Sequence, residues 1–290
     1  MILVRRRAAF AAAAVLVALL GLTAAAGAQD ASSVRVAGSA IGAPLVEALG
    51  ADGVALNTTG TTAGIASFCA GEADITLANR PLTAEEEAVC AAAGIEFYEL
   101  LLGHTAAAVI ANSASPAPEC LDAEQLALVF APSAAGAITT WQQVVPGAAA
   151  DPLALIVPEG ESLAVTLLDR AVDGDGLRAD VTTAAGDVAV ADAVAATPGA
   201  IGVVNASTPL PEGVRALSLN TTAGGCTAPT AVALEARTYS AGEPLLAYVS
   251  AANANAVALA TALAGSGAQA AEQGLIAPSE TAAARNAEIL

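Results

Sequence analysis

The stretch TGTTAGIASFCAGEADITLANRPLTAEEEAVC, residues 59–90, decides the fold. It leaves a loop of small and hydroxyl residues at 58–62, enters a helical segment around 65–70 and turns into a short apolar strand over 73–77. A turn at Asn79-Arg80-Pro81 comes next. Thr83 with Glu86 then forms a capping box, the Ser/Thr-x-x-Glu pattern that satisfies two free N–H groups at a helix start, and opens a helix through Cys90.

The same alternation extends in both directions. Upstream, 34–37 reads as a strand, 38–40 as a small-residue loop and 43–49 as a helix whose opening turn tolerates Pro44. Downstream, strands are expected over 95–101 and 105–111, a helix over 121–130, a helical turn at 138–141 and a buried-type strand over 153–157. Helices at 162–172 and 188–196, strands at 199–204, 214–219 and 244–249, and an Ala-rich helical tail complete the set. Strand and helix in alternation imply α/β layers with largely parallel sheet.

The first residues follow a different logic. Arg5, Arg6 and Arg7 precede an apolar run over 8–26, and the exit is Ala26-Gly27-Ala28. This is the pattern of a secretory signal over 1–28, cleaved before Gln29. An uncleaved anchor is the competing reading, since the run is long enough to span a bilayer. No later stretch is, so no membrane span is expected after signal removal.

The whole chain carries 28 acidic and 10 basic residues, a net charge of −18, and loss of the three signal arginines makes the balance three units more negative. Such a chain is repelled by phosphate backbones and anionic lipid, which excludes nucleic acid as a partner. Cys69, Cys90, Cys120 and Cys226 are an even set. In an exported chain that favours disulfides, with three connectivities open. Zinc is disfavoured because there is no CxxC pair and His104 is the sole histidine; no metal and no cofactor are expected. An enzyme is not expected either: no GxSxG surrounds any serine. A carboxylate pair for glycoside chemistry stays open among so many acids.

Several loops join a strand end to a helix start, where free N–H groups and the helix dipole favour an anion. Hydroxyls of Ser39, Thr59, Thr61 and Thr62 add donors. The ordered set GSAIGAP (38–44), residues 59–90, the ECLDAEQLALVF segment through Trp141, PGAIGVVN (198–205), GGCTAP (224–229) and EPLLAYV (243–249) resembles the phosphate-binding proteins of ABC-type transporters. These are two-lobed members of the periplasmic binding protein superfamily.

The resemblance implies an α/β fold of two mixed sheets flanked by helices and joined by two crossing hinge strands. It implies lobe 1 over 29–108, lobe 2 over 109–204 and a return to lobe 1 over 205–290. It also implies the pairs Cys69–Cys90 and Cys120–Cys226, the second tying one lobe to the other. Carried over residue by residue, the oxyanion set is Ser39 and Ala40, then Thr59, Gly60 and Thr61, then Asn79 and Arg80, and finally Ser162. The last loop departs from the family's Ser-Gly-Thr: Leu163 and Ala164 follow Ser162, Glu159 and Glu161 flank it, and no arginine precedes it. In the first loop Ala40 and Ile41 stand where relatives carry hydroxyls.

Single residues keep two readings each. His104 is a hinge histidine between two strands, either internally satisfied or facing the ligand. Trp141 belongs to a lobe core or stacks on a ligand, and Arg80 meets either an anion or an acidic neighbour. The expected function is an exported, monomeric solute-binding protein, periplasmic or extracellular, that holds phosphate or a related small anion for an ABC permease. The alternative is an extracellular interaction or adhesion-type protein that keeps the fold with a degenerate pocket, filled by Leu163 and Ile41.

Overall fold

The computed structural model describes residues 33–50, 52–172, 174–221 and 225–290. The expected signal segment and Gly224 lie outside these. In chain order the first elements are β1 (Val34–Gly38), α1 (Ala43–Ala48), β2 (Val54–Asn57), α2 (Thr61–Cys69), β3 (Ile75–Ala78), α3 (Ala84–Ala92) and β4 (Phe97–Asn112). Then come β5 (Cys120–Asp122), α4 (Ala123–Phe130), β6 (Ala154–Pro158), α5 (Leu163–Ala171), β7 (Thr182–Ala184), α6 (Asp187–Ala196) and β8 (Ala200–Asn205). The chain closes with β9 (Val214–Ala216), β10 (Ser218–Asn220), α7 (Ala231–Glu235), β11 (Gly242–Ser250), α8 (Ala254–Ala264), α9 (Gly267–Glu272) and α10 (Glu280–Ile289).

Two mixed sheets share one strand. The first runs β2-β1-β3-β11-β4, its first three strands parallel and β11 antiparallel to both neighbours. The second runs β4-β8-β6-β7, with β9 also against β4. The handover occurs within β4: Ala106 is the last residue paired with β11, and Ala107 the first paired with β8. Residues 102–112 of this strand are buried without a break, as expected of a strand covered on both faces.

The sequence expectation of two strands, 95–101 and 105–111, is therefore corrected to one strand. Gly103 does not end it; a Cβ there would lie 3.0 Å from the Ile276 carbonyl, so glycine makes room for a neighbouring segment. His104 and Ile276 exchange both backbone hydrogen bonds at that point, at 2.9 and 2.8 Å. His104 thus sits inside a continuous crossing strand rather than between two.

Each sheet has its own core. Val36, Leu45, Ile75, Leu77, Leu100, Leu245 and Leu263 pack on one face of the first sheet, and Ile65, Phe68 and Tyr248 on the other. Trp141, Phe130, Leu126, Val157, Leu167 and Ile201 pack on the second. Helix α5 shows why: Ala164, Leu167 and Leu168 fall on one helical face and are buried, while Arg170 points away. Trp141 is fully buried and its Nε1 donates to the Gly199 carbonyl at 2.7 Å, so it belongs to the core.

Leu217, Leu219, Leu234, Tyr239 and Ala241 pack with the Trp141 core, although the expected division returned the chain to lobe 1 at 205. The expected strand over 214–219 is split, β9 joining β4 and β10 pairing with β5 in a small parallel sheet. Both disulfides exist, Cys69–Cys90 and Cys120–Cys226, and no described cysteine is free. The second lies in the surroundings of Trp141. Its flanking strands β5 and β10 pair with each other and both pack with the Trp141 core through Leu121 and Leu219, so around the bridge it joins two segments of one core.

Candidate functional site at the ends of parallel strands

Parallel strands all point their carboxyl ends one way, which leaves a crevice lined by the loops beyond them. The loops after β1, β2 and β3 meet in this manner. Ser39 N donates to the Leu77 carbonyl at 2.7 Å, and Gly60 N to the Gly38 carbonyl at 2.9 Å. Helix α2 can start this close because Gly64 faces Gly38: a Cβ on Gly64 would fall 2.4 Å from the Gly38 Cα. Any larger residue would lift the helix, and the loop before it, off β1.

The expected oxyanion residues fall out differently. Ser39 is buried and its Oγ accepts from Ile41 N at 3.3 Å; Ser162 caps α5, accepting from Val165 N at 3.4 Å. A capping hydroxyl still has its own hydrogen to donate. Gly60 caps α2 without any side-chain bond, leaving that helix start to backbone N–H groups. Thr59 and Ala40 are exposed. Leu163 is 38% exposed, and Ile41 packs on the first-sheet core.

Thr61 and Asn79 are joined directly. Thr61 Oγ1 donates to Asn79 Oδ1 at 2.6 Å, and Asn79 N donates to Thr61 Oγ1 at 3.1 Å. The chain of bonds continues: Asn79 Nδ2 donates to Glu243 Oε1 at 3.0 Å, and Arg170 Nη1 donates to Glu243 Oε2 at 3.0 Å. Glu243 lies on the crossing strand β11 and is 8% exposed, whereas Arg170 belongs to α5 of the second lobe. A buried carboxylate therefore holds one donor from each side. Sequence reading missed both residues. The available signal was an acid inside the apolar EPLLAYV strand, together with the scarcity of cations.

Arg80 resolves to its acidic neighbour. Its Nη1 and Nη2 donate to both oxygens of Glu86, at 2.7 and 2.8 Å, and Nη2 also reaches Thr62 Oγ1 at 3.3 Å. Glu86 simultaneously accepts from Thr83 N at 2.8 Å, completing the expected capping box. The Arg80 guanidinium and the Thr83 bonds outweigh partial burial and hold the Glu86 carboxyl down at about 2. His104 is 3% exposed; burial pushes its imidazole below the ordinary histidine range, with Glu235 opposing weakly.

A cavity of about 870 Å3 lies beside this network. Asn79, Arg80, His104 and Glu243 line it, but Ser39, Thr61 and Ser162 do not. Most of its wall comes from α7, α10 and the β4/β11 crossing. No helix among the described residues is long and apolar enough to cross a membrane.

A family model described as a PBP superfamily domain matches residues 23–282. The chain belongs to the PBP superfamily. In this family of binding proteins the chain is not an enzyme, and its fold is the two-lobed one. A possible phosphate-binding protein from Planctomyces limnophilus is 23% identical, with 89% of this chain and 98% of that one covered and a TM-score of 0.71. An ABC-type phosphate transport receptor from Vibrio cholerae is 22% identical, covering 85% and 100%, with a TM-score of 0.62. Protein SphX of a Synechocystis strain is 30% identical over 164 residues, 54% of this PBP-superfamily chain and 49% of its own length. The chain thus spans about half the length of the curated relatives it matches.

Proposed function

We propose that this PBP-superfamily chain is the exported solute-binding component of an ABC importer, working as a monomer that delivers a small oxyanion to a permease. The observation that carries the reading is the convergence of three parallel strand ends on one crevice, tied across it to α5 by Asn79, Glu243 and Arg170. The oxyanion set is Ser39, Gly60, Thr61, Asn79 and Ser162, with Thr59 and Ala40 at the rim. Hydroxyl and helix-start N–H groups supply the donors. The first lobe comprises 33–106 and 242–290, and the second 107–241. Kinship with proteins described as phosphate receptors supports phosphate or a close relative as the anion.

The reading also explains a constraint. Glu243 is acceptor-only when ionised, so an incoming oxyanion that carries a proton of its own fits beside it better than a fully ionised one. Isothermal titration of the mature chain with inorganic phosphate is expected to show saturable binding, weakened by Ser162→Ala and Thr61→Val. Absence of heat at millimolar phosphate overturns the phosphate assignment.

The second reading, an interaction protein that keeps the fold without the ligand, draws on one observation: Arg80 is already paired with Glu86. A chain that binds no phosphate, arsenate or sulfate in the same titration favours it.

A further inference from the structure

The cavity of about 870 Å3 gathers features that the proposed oxyanion donors leave unused. Beyond the signal segment the chain has seven arginines, and five of them, Arg35, Arg80, Arg170, Arg178 and Arg215, are in ion pairs. Among the described residues the two without a carboxylate partner are Arg237 and Arg285, and both line this one cavity. In so acidic a protein an unpaired guanidinium is the exception. Two lining one cavity offer donors for a planar or tetrahedral anion.

The backbone adds a second feature. Arg237 has φ +55°, and among the described residues no other non-glycine residue has a positive φ. This is the position just past the end of α7, where Arg237 N donates to the Leu234 carbonyl at 3.1 Å and Thr238 N to the Ala233 carbonyl at 2.9 Å, so the left-handed residue closes the helix and fixes where the Arg237 side chain departs. The walls hold it in place. Glu235 receives both the backbone N and the Oγ of Ser279, each at 2.8 Å, joining α7 to α10. Asn286 brackets the Leu101 backbone, donating to its carbonyl at 2.7 Å and accepting from its N at 3.2 Å, which clamps α10 on β4.

The floor carries a third. His104 lines the cavity, and its Nδ1 is shut off from solvent without a hydrogen-bond partner. Any bond it makes to an occupant must run through Nε2. Of the carboxylates lining the cavity, Glu235 and Glu243 are engaged by Ser279, Asn79 and Arg170, and Glu99 lies at the margin; Glu280 and Glu288 share a neighbouring cavity with Arg285 without an ion pair to it. Apolar side chains at Val232, Leu234 and Ile289 fill out the lining, with Val232 and Ile289 exposed.

We propose that this cavity, which borders the oxyanion crevice at Asn79 and Glu243, is a second ligand site for an organic anion whose head is held by Arg237 and Arg285 and whose apolar body lies against Val232, Leu234 and Ile289. The volume suits such a molecule, since small-ligand pockets run to roughly 300–1,000 Å3, and is wasteful for a bare inorganic ion.

The sole histidine makes the test direct. Phenyl phosphate titrated into the mature chain is expected to shift the His104 ring-proton resonance saturably, with inorganic phosphate at equal concentration much less effective. Arg285→Gln, and separately Arg237→Gly, which removes the guanidinium while relaxing the backbone, are expected to weaken the response about ten-fold. Ser162→Ala, which does not touch the cavity, should leave it unchanged. A silent histidine at millimolar phenyl phosphate overturns the proposal. So does a response that ignores both arginine substitutions, one lost in Ser162→Ala, or one matched by inorganic phosphate.

Discussion

Glu243 concentrates the chemistry of the crevice in one side chain. It is buried, accepts from Asn79 and Arg170, and on the proposed function places a negative charge beside the anion. In a partly desolvated crevice like charges a few ångströms apart repel by about 3 kcal/mol before salt screening. Glu243→Gln keeps the length and one acceptor but removes that charge and releases Arg170. Phosphate affinity is expected to rise about ten-fold, about 1.4 kcal/mol, by calorimetry. Unchanged or weaker binding places the carboxylate away from the anion. Arg80, by contrast, was the cation the sequence drew attention to, and its partner turned out to be Glu86, six residues away. Which acid a lone arginine meets depends on how a turn folds back over the next helix.

At the scale of elements, strand-loop-helix order was readable because each helix start carries local signals. The Thr83–Glu86 box is the plainest: both reciprocal bonds are made, and Arg80 seats on the same carboxylate. Thr83→Ala is expected to cost about 1 kcal/mol of stability in urea unfolding, from the lost cap. The Glu86 carboxyl, held at about 2 against an ordinary 4.5, adds a pH signature. Its folded-state pKa is the lower one, so its contribution is complete above 4.5 and is lost as pH falls from there through about 2. Glu86→Gln should flatten that part of the stability profile; a variant with the same acid slope contradicts the assignment. Strand ends were less readable. Gly103-His104 looked like a break in β4 because glycine usually marks one, whereas here it admits Ile276 to the sheet edge, a neighbour more than 170 residues distant.

For the whole molecule the disulfides divide the stability between lobes. Cys120–Cys226 encloses a long loop within the second lobe, 106 residues in sequence separation, where loss of a native bridge typically costs about 2–5 kcal/mol. Cys120→Ser with Cys226→Ser is expected to lower the thermal midpoint, with hydrogen-exchange protection lost around β5 and β10 before β1 and β3. Equal loss in both lobes contradicts closure of one lobe alone.

The α/β class, the helix starts, the cysteine pairing carried by family resemblance, and the hydroxyl loops at 39, 61 and 162 were determined by sequence alone, because capping, periodicity and composition act over a few residues or along a recurring order of motifs. Only the tertiary structure decided that β4 runs unbroken through both sheets, that Leu217, Leu219, Leu234 and Tyr239 pack with the Trp141 core, that Glu243 and Arg170 meet, and that Arg237 and Arg285 share a cavity. Each of those depends on residues far apart in the chain being brought within a few ångströms. Local spacing carries no record of such approaches; the burial of two separate cores does.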